Sequence, residues 1–192
     1  MSYLDKTGCE FLVNKTKDYF AKNKPQLRTF VGRLLEPTSV GTDKSPTVLN
    51  FVERTWEQPS SLHTGGAENY FDIDYDGFIY LKKAPEGKTS VNTLVTFQIY
   101  AYNGFTAGKK LYVHIKEQSA NTGQGTINRT IPNIKYIYYI PVAAPYLTFS
   151  GKFYYEMIEG KGISLSVYSS DGKGTLGYGD GFDTHLAITT VI

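Results

Sequence analysis

From Tyr70 to Leu81 the chain reads Tyr-Phe-Asp-Ile-Asp-Tyr-Asp-Gly-Phe-Ile-Tyr-Leu, with apolar character returning at every second residue. A side-chain period of two belongs to an extended strand with one face buried, and no helix can satisfy it. Phe71, Ile73 and Tyr75 fall on one face, Asp72 and Asp74 on the other, and Asp76-Gly77 offers the positive-φ tolerance of a tight two-residue hairpin. Strands are also expected over residues 47–54, 93–102, 109–117, 134–140, 146–158, 162–168 and 185–192, with loops at 85–88, 103–104, 119–125 and 171–181. Sixteen tyrosines and 11 phenylalanines suit half-buried sheet positions. Seven to nine such strands, with no internal repeat, predict a mainly β fold: a β-sandwich or jelly roll. The run Ala187-Ile188-Thr189-Thr190-Val191-Ile192 is too apolar to dangle, so the C-terminus should be tied into a sheet.

The N-terminal segment follows a different period. Thr7 and Glu10 have the spacing of a capping box, and Leu12, Val13, Thr16, Tyr19 and Phe20 recur on one helical face. Pro25 should end this helix, with Lys22 and Lys24 near the negative end of its dipole. A helix of about four turns is marginal alone, so this stripe is the expected oligomerisation or anchoring surface. Residues 26–46, bracketed by prolines and rich in Gly, Thr and Ser, read as a connector. The division is therefore 1–25 helical segment, 26–46 connector and 47–192 β domain.

Charge and composition exclude several classes. Twenty basic residues against 18 acidic ones leave a net charge of +2, too small for a nucleic-acid or lipid-recruiting field. No apolar run approaches a membrane span, and the N-terminus lacks the apolar stretch of a secretion signal. The single cysteine, Cys9, allows no internal disulfide and fits manufacture in a reducing cytosol.

A search for chemistry gives no active site. Cys9 lies in the first helical turn with no histidine nearby in sequence and reads as a packed thiol. His63, His114 and His185 share no metal-ligand spacing. Asp72-x-Asp74-x-Asp76-Gly77 matches half of a calcium loop, but the position that should close it is Lys83, so an acidic strand ending in a turn is preferred. The glycine-rich stretch 172–181 precedes a strand rather than the helix that a phosphate loop requires. Glu53, Glu57, Asp180 and Asp183 are the carboxylates a glycan hydrolase could use, each better read as surface charge. The expectation is a non-enzyme without cofactor or metal.

Tyrosines remain in surplus. Tyr136, Tyr138 and Tyr139, then Tyr154 and Tyr155, place rings on both faces of their strands. An outward ring must meet another sheet, a subunit or a ligand, and a subunit interface is favoured over a sugar site. Tyr136, Tyr138, Tyr154 and Tyr178 form the candidate ligand surface.

The opening Tyr3-Leu4-Asp5-Lys6-Thr7-Gly8, followed by Leu12, Lys15 and Lys17, resembles the start of structural and fibre proteins of tailed bacteriophages, especially those infecting gut bacteria. Cys9 and Val13 stand where that pattern more often has Leu and an aromatic. The resemblance covers about the first twenty residues. It implies a virion component made in the host cytoplasm: a head fibre, tail fibre or capsid decoration protein. Its partners would be copies of itself in a homotrimer, other virion proteins and a host-surface glycan, with no nucleic acid and no membrane. The alternative is a carbohydrate-binding module using exposed tyrosines.

Overall fold

A computed structural model describes residues 6–22, 26–52, 66–119, 129–143, 146–177 and 183–191. Helix α1 spans Lys6–Lys22, in agreement with the helical spacing. The strands are β1 (Leu27–Arg33), β2 (Thr38–Ser39), β3 (Thr47–Val48), β4 (Phe71–Ile73), β5 (Ile79–Leu81), β6 (Ser90–Asn103), β7 (Lys110–Ser119), β8 (Arg129–Tyr139), β9 (Leu147–Ile158), β10 (Lys161–Ser169), β11 (Thr175–Leu176) and β12 (His185–Val191). They form two antiparallel sheets packed face to face, a jelly-roll sandwich. In one sheet β6 is central, with β9 on one edge and β12, β11 and then β1 and β2 on the other. In the other sheet β10 is central, with β7 and β8 on one side and β3, β5 and β4 on the other. Inward residues of both sheets, among them Phe30, Phe97, Ile99, Leu111, Leu165 and Ile188, build one apolar core.

Three sequence expectations change. The segment read as a connector, 26–46, carries β1, which pairs with β12 from Leu27↔Val191 to Arg33↔His185. The β domain therefore begins near residue 27 rather than 47. Inward along β1 come Phe30 and Gly32, and a Cβ at Gly32 would stand 3.0–3.2 Å from Phe51, Ile79 and Ile73. With a glycine in the core-facing register, the period-two signal is too thin to see locally.

The expected strand 47–54 contracts to Thr47–Val48, although Leu49 and Phe51 are fully buried beyond it. The hairpin at 71–81 forms, but its last pair is Ile73↔Ile79, leaving a five-residue loop rather than a two-residue turn. Asp74 explains the difference. Its Oδ1 accepts from the amides of Asp76 (3.1 Å) and Phe78 (2.9 Å), organising the loop from within. Gly77 adopts φ 78°, where a Cβ would collide with the backbone of Asn50 and Phe51. Tyr75, expected on the buried face, is 88% exposed at the loop tip.

Candidate functional site

Tyr136 and Tyr138 of β8 do not face solvent as a ligand surface, whereas Tyr139 is exposed on the opposite face. Tyr136 and Tyr138 turn inward, half-buried, and their hydroxyls donate to the carbonyls of Lys152 (2.5 Å) and Ser150 (2.7 Å) on β9. Those carbonyls lie on the edge of β9 away from β6, so the two rings bridge the sandwich and cap a sheet edge that pairs with no further strand among the described residues. Tyr136 meets Phe97 edge-on at 4.9 Å, and Tyr138 packs on Phe149 at 5.0 Å. Burial, with Tyr136 beside it, pushes the Tyr138 hydroxyl up to about 12. At the same seam Glu117 is an inward-facing carboxylate, 5% exposed. It accepts from Arg129 Nη2 (2.6 Å) and Nε (2.8 Å) and from the Tyr155 hydroxyl, with Lys161 at 3.6 Å, linking β7, β8, β9 and β10. The surplus of rings inferred from alternation is thus partly a structural seam.

Tyr154 does point outward, 84% exposed, on the outer face of the β6 sheet. Register aligns that face in lateral rows: Thr29, Thr189, Leu94 and Tyr154 in one, Val31, Ala187, Thr96 and Lys152 in the next. The Thr29 and Thr189 hydroxyls bond each other at 3.0 Å. Leu27 and Val191 are about 60% exposed. Charge is sparse: Arg33 pairs with Asp183 at 2.7 Å, Glu156 accepts from the Ser90 hydroxyl at 2.6 Å, and Lys152 is exposed on β9. A groove of about 750 Å³, lined by Leu27, Leu94, Thr189, Val191 and Tyr154 with the 87–93 segment, crosses this face. At the far end of the same face Tyr146, held at φ 79°, stacks on Tyr100 and meets Tyr102 edge-on.

The outer face of the β10 sheet is different. Lys110, Tyr112, His114 and Lys116 alternate outward along β7, opposite Tyr139, Ile137, Lys135 and Thr130 of β8. Tyr112 stacks on Tyr168 at 4.6 Å with the planes 8° apart, and the Lys135 ammonium lies 5.0 Å from the Tyr112 ring. His114 meets Tyr168 edge-on. Burial chiefly, then Lys135 and Lys116, hold the His114 imidazole below its ordinary value, against a weaker pull from Asp43. Burial and the hydrogen bond with Asp43 push Tyr168 up to about 12. This cationic and aromatic face was missed in the sequence because near-neutral net charge conceals how charges are sorted between faces.

The other sequence candidates resolve separately. Asp74 and Asp76 receive the Gln118 amide at 3.1 and 3.3 Å, and Asp72 holds Lys82 at 3.5 Å. An amide donor among the carboxylates fits the loop reading better than a cation cage. Among the described residues no cluster of three or more metal-ligating side chains occurs, and no helix is long and apolar enough to cross a membrane. Asp183 is buried against Arg33, and the 172–181 stretch contains the short strand β11. His185 lies beside Arg33 on the outer face of the β6 sheet, its imidazole held low by burial despite Asp183. On α1, Leu12, Val13 and Thr16 are exposed, as is Phe11, which the helical stripe had omitted. The side chains of Cys9, Tyr19 and Phe20, together with Glu53, Glu57, His63, Tyr178 and Asp180, lie outside the described residues.

No family model matches this chain, and no curated protein does. Solved structures do. Murine APRIL at pH 5.0 superposes with TM-score 0.52 at 14% identity, covering 86% of this chain and 99% of that one. Murine APRIL at pH 8.0 gives 0.53 at 13% identity over the same shares. Eiger TNF from S. frugiperda gives 0.50 at 11% identity, over 88% of this chain and 93% of that one. These neighbours overturn the expectation of a phage head-fibre, tail-fibre or decoration protein, whose support was confined to the first twenty residues. The alternative of a sugar module loses Tyr136 and Tyr138, whose hydroxyls are bonded inside the seam. At this level of identity the likeness is one of architecture: the sandwich shares its fold with TNF-type proteins.

Proposed function

We propose that this chain is a non-enzymatic, TNF-like ligand module that works as a homotrimer and buries the outer face of its β6 sheet between copies. The observation that carries this reading is the sparse charge of that face, where Lys152 and Glu156 lie on the edge strand β9. A solvent-facing sheet ordinarily sets charged residues on its outer side, whereas here Thr29, Val31, Leu94, Thr96, Ala187, Thr189 and Tyr154 align across four strands. Such a surface loses little solvation when another chain covers it.

Its shape favours a ring. Tyr154 stands up from β9 as a wall, while the groove runs away from it toward Leu27 and Val191 on β1 and β12. Unlike halves of one face match head to tail, and the smallest ring closed by head-to-tail contacts has three members. The jelly-roll likeness to APRIL and Eiger TNF supports a ligand rather than a catalyst.

Sedimentation equilibrium of the full chain is the test. A particle of three times the 21.5 kDa chain mass is expected. A single-chain mass at concentrations of about 50 μM, well above the range of ordinary stable complexes, would refute the assembly.

A further inference from the structure

We propose that the outer face of β7 and β8 is a docking surface for an extended acidic polypeptide segment of a partner protein. This face belongs to the other sheet from the one assigned to self-association, so neither proposal rests on the other.

Charge sorting is the first support. No Asp or Glu points outward from β7, β8 or β10: the only carboxylate in those three strands is Glu117, which faces inward. Lys110, Lys116 and Lys135 face outward, and among the described residues no carboxylate pairs with any of them. Asp43, which approaches from the β2–β3 turn, is engaged by the Tyr168 hydroxyl. A desolvated imidazole, His114, sits between the lysines.

Spacing supports a polypeptide. Lys110 and Lys116 lie six residues apart on one strand, about 20 Å at the usual rise, with Tyr112 and His114 at the two intervening outward positions. An extended peptide has the same period of about 7 Å between side chains on one face. Laid along β7, it sets an acidic residue opposite Lys110 and Lys116 and two apolar side chains over Tyr112, Ile137 and His114, with Lys135 flanking the second of them. The recognised pattern is acid, apolar, apolar, acid at every second residue. The Tyr112–Tyr168 stack gives a rigid plate for the apolar pair, so little side-chain entropy is lost on binding.

The test uses the full chain and a fluorescein-labelled peptide of about thirteen residues, with glutamates six positions apart, leucine and tyrosine alternating between them and serine elsewhere. Anisotropy at about 20 mM salt should show saturable binding that weakens roughly tenfold near 200 mM. The triple variant Lys110→Glu, Lys116→Glu, Lys135→Glu should weaken it by at least about tenfold, with an unchanged circular dichroism spectrum. If that variant fails to fold, single Lys→Gln changes replace it, each expected to cost about threefold. A peptide with its glutamates two positions apart should bind about fivefold more weakly than the probe. Absence of binding, equal binding by the lysine variants, or equal binding by the respaced peptide overturns the proposal. So does tight binding of a heparin fragment with no binding of the peptide, which would assign the face to a sulfated polysaccharide.

Discussion

Across the β6 sheet a lateral row reads Thr29, Thr189, Leu94, Tyr154; across the β10 sheet the matching row reads Lys135, His114, Ser166. Both rows obey the same alternation and sit on the same core, yet they have opposite solvation. Burying the first removes hydroxyls and aliphatic groups from water at small cost. Burying the second against a copy of itself would strip lysine ammonium groups of water and bring like charges together. The comparison teaches that one jelly roll can assign its two faces to different neighbours through the outward residues alone.

The largest expected effect breaks the charge-poor face. Leu94→Asp combined with Tyr154→Asp places two carboxylates in the middle of the proposed contact and should raise the dissociation constant by at least about a hundredfold, roughly 3 kcal/mol. Sedimentation should then report single chains with an unchanged circular dichroism spectrum. An intact trimer would remove the β6 sheet from the interface.

The next effect concerns the seam that holds the faces apart. Glu117→Ala takes the acceptor from Arg129 and the Tyr155 hydroxyl, and urea unfolding should show a loss of about 2–3 kcal/mol. Tyr136→Phe with Tyr138→Phe should cost about 2 kcal/mol together by removing two hydrogen bonds. It should also raise the aggregation rate, because the β9 carbonyls at Lys152 and Ser150 become free to pair with another strand. Equal stability and unchanged aggregation would mean that the edge is protected by other means.

The smallest effect is in pH. His185 on one face and His114 on the other both titrate below the ordinary 6.5, burial being the main cause. As pH falls through 6.5 the unfolded chain takes up protons that the folded chain refuses. Stability present above that pH is therefore lost progressively toward the depressed folded values. The melting temperature should fall between pH 7.5 and 5.5, and His185→Gln should flatten part of the slope. A rise in melting temperature over that interval would contradict the sign for both residues.

Much of the fold was legible locally. The long strands β6, β7, β9, β10 and β12 each have enough alternating residues for the period to declare itself, and β4–β5 had turn chemistry besides. β1 was not legible, because Gly32 occupies a core-facing position and the partner strand lies at the other end of the chain. The candidate sites were harder still. Alternation placed Tyr136, Tyr138 and Tyr154 on sheet faces, but could not say which face was inside.

Determined by the sequence alone were the element types: a 3.6-residue period for α1, a period of two thereafter, and glycine where Gly77 needs positive φ. These follow from backbone sterics and side-chain direction, which act over a few residues. Tertiary structure alone decided that Leu27 meets Val191, that two tyrosine hydroxyls close an edge, and that the lysines of β7 and β8 gather on one face. Those outcomes depend on which strands become neighbours, and pairing between distant segments is set by the burial of the whole core.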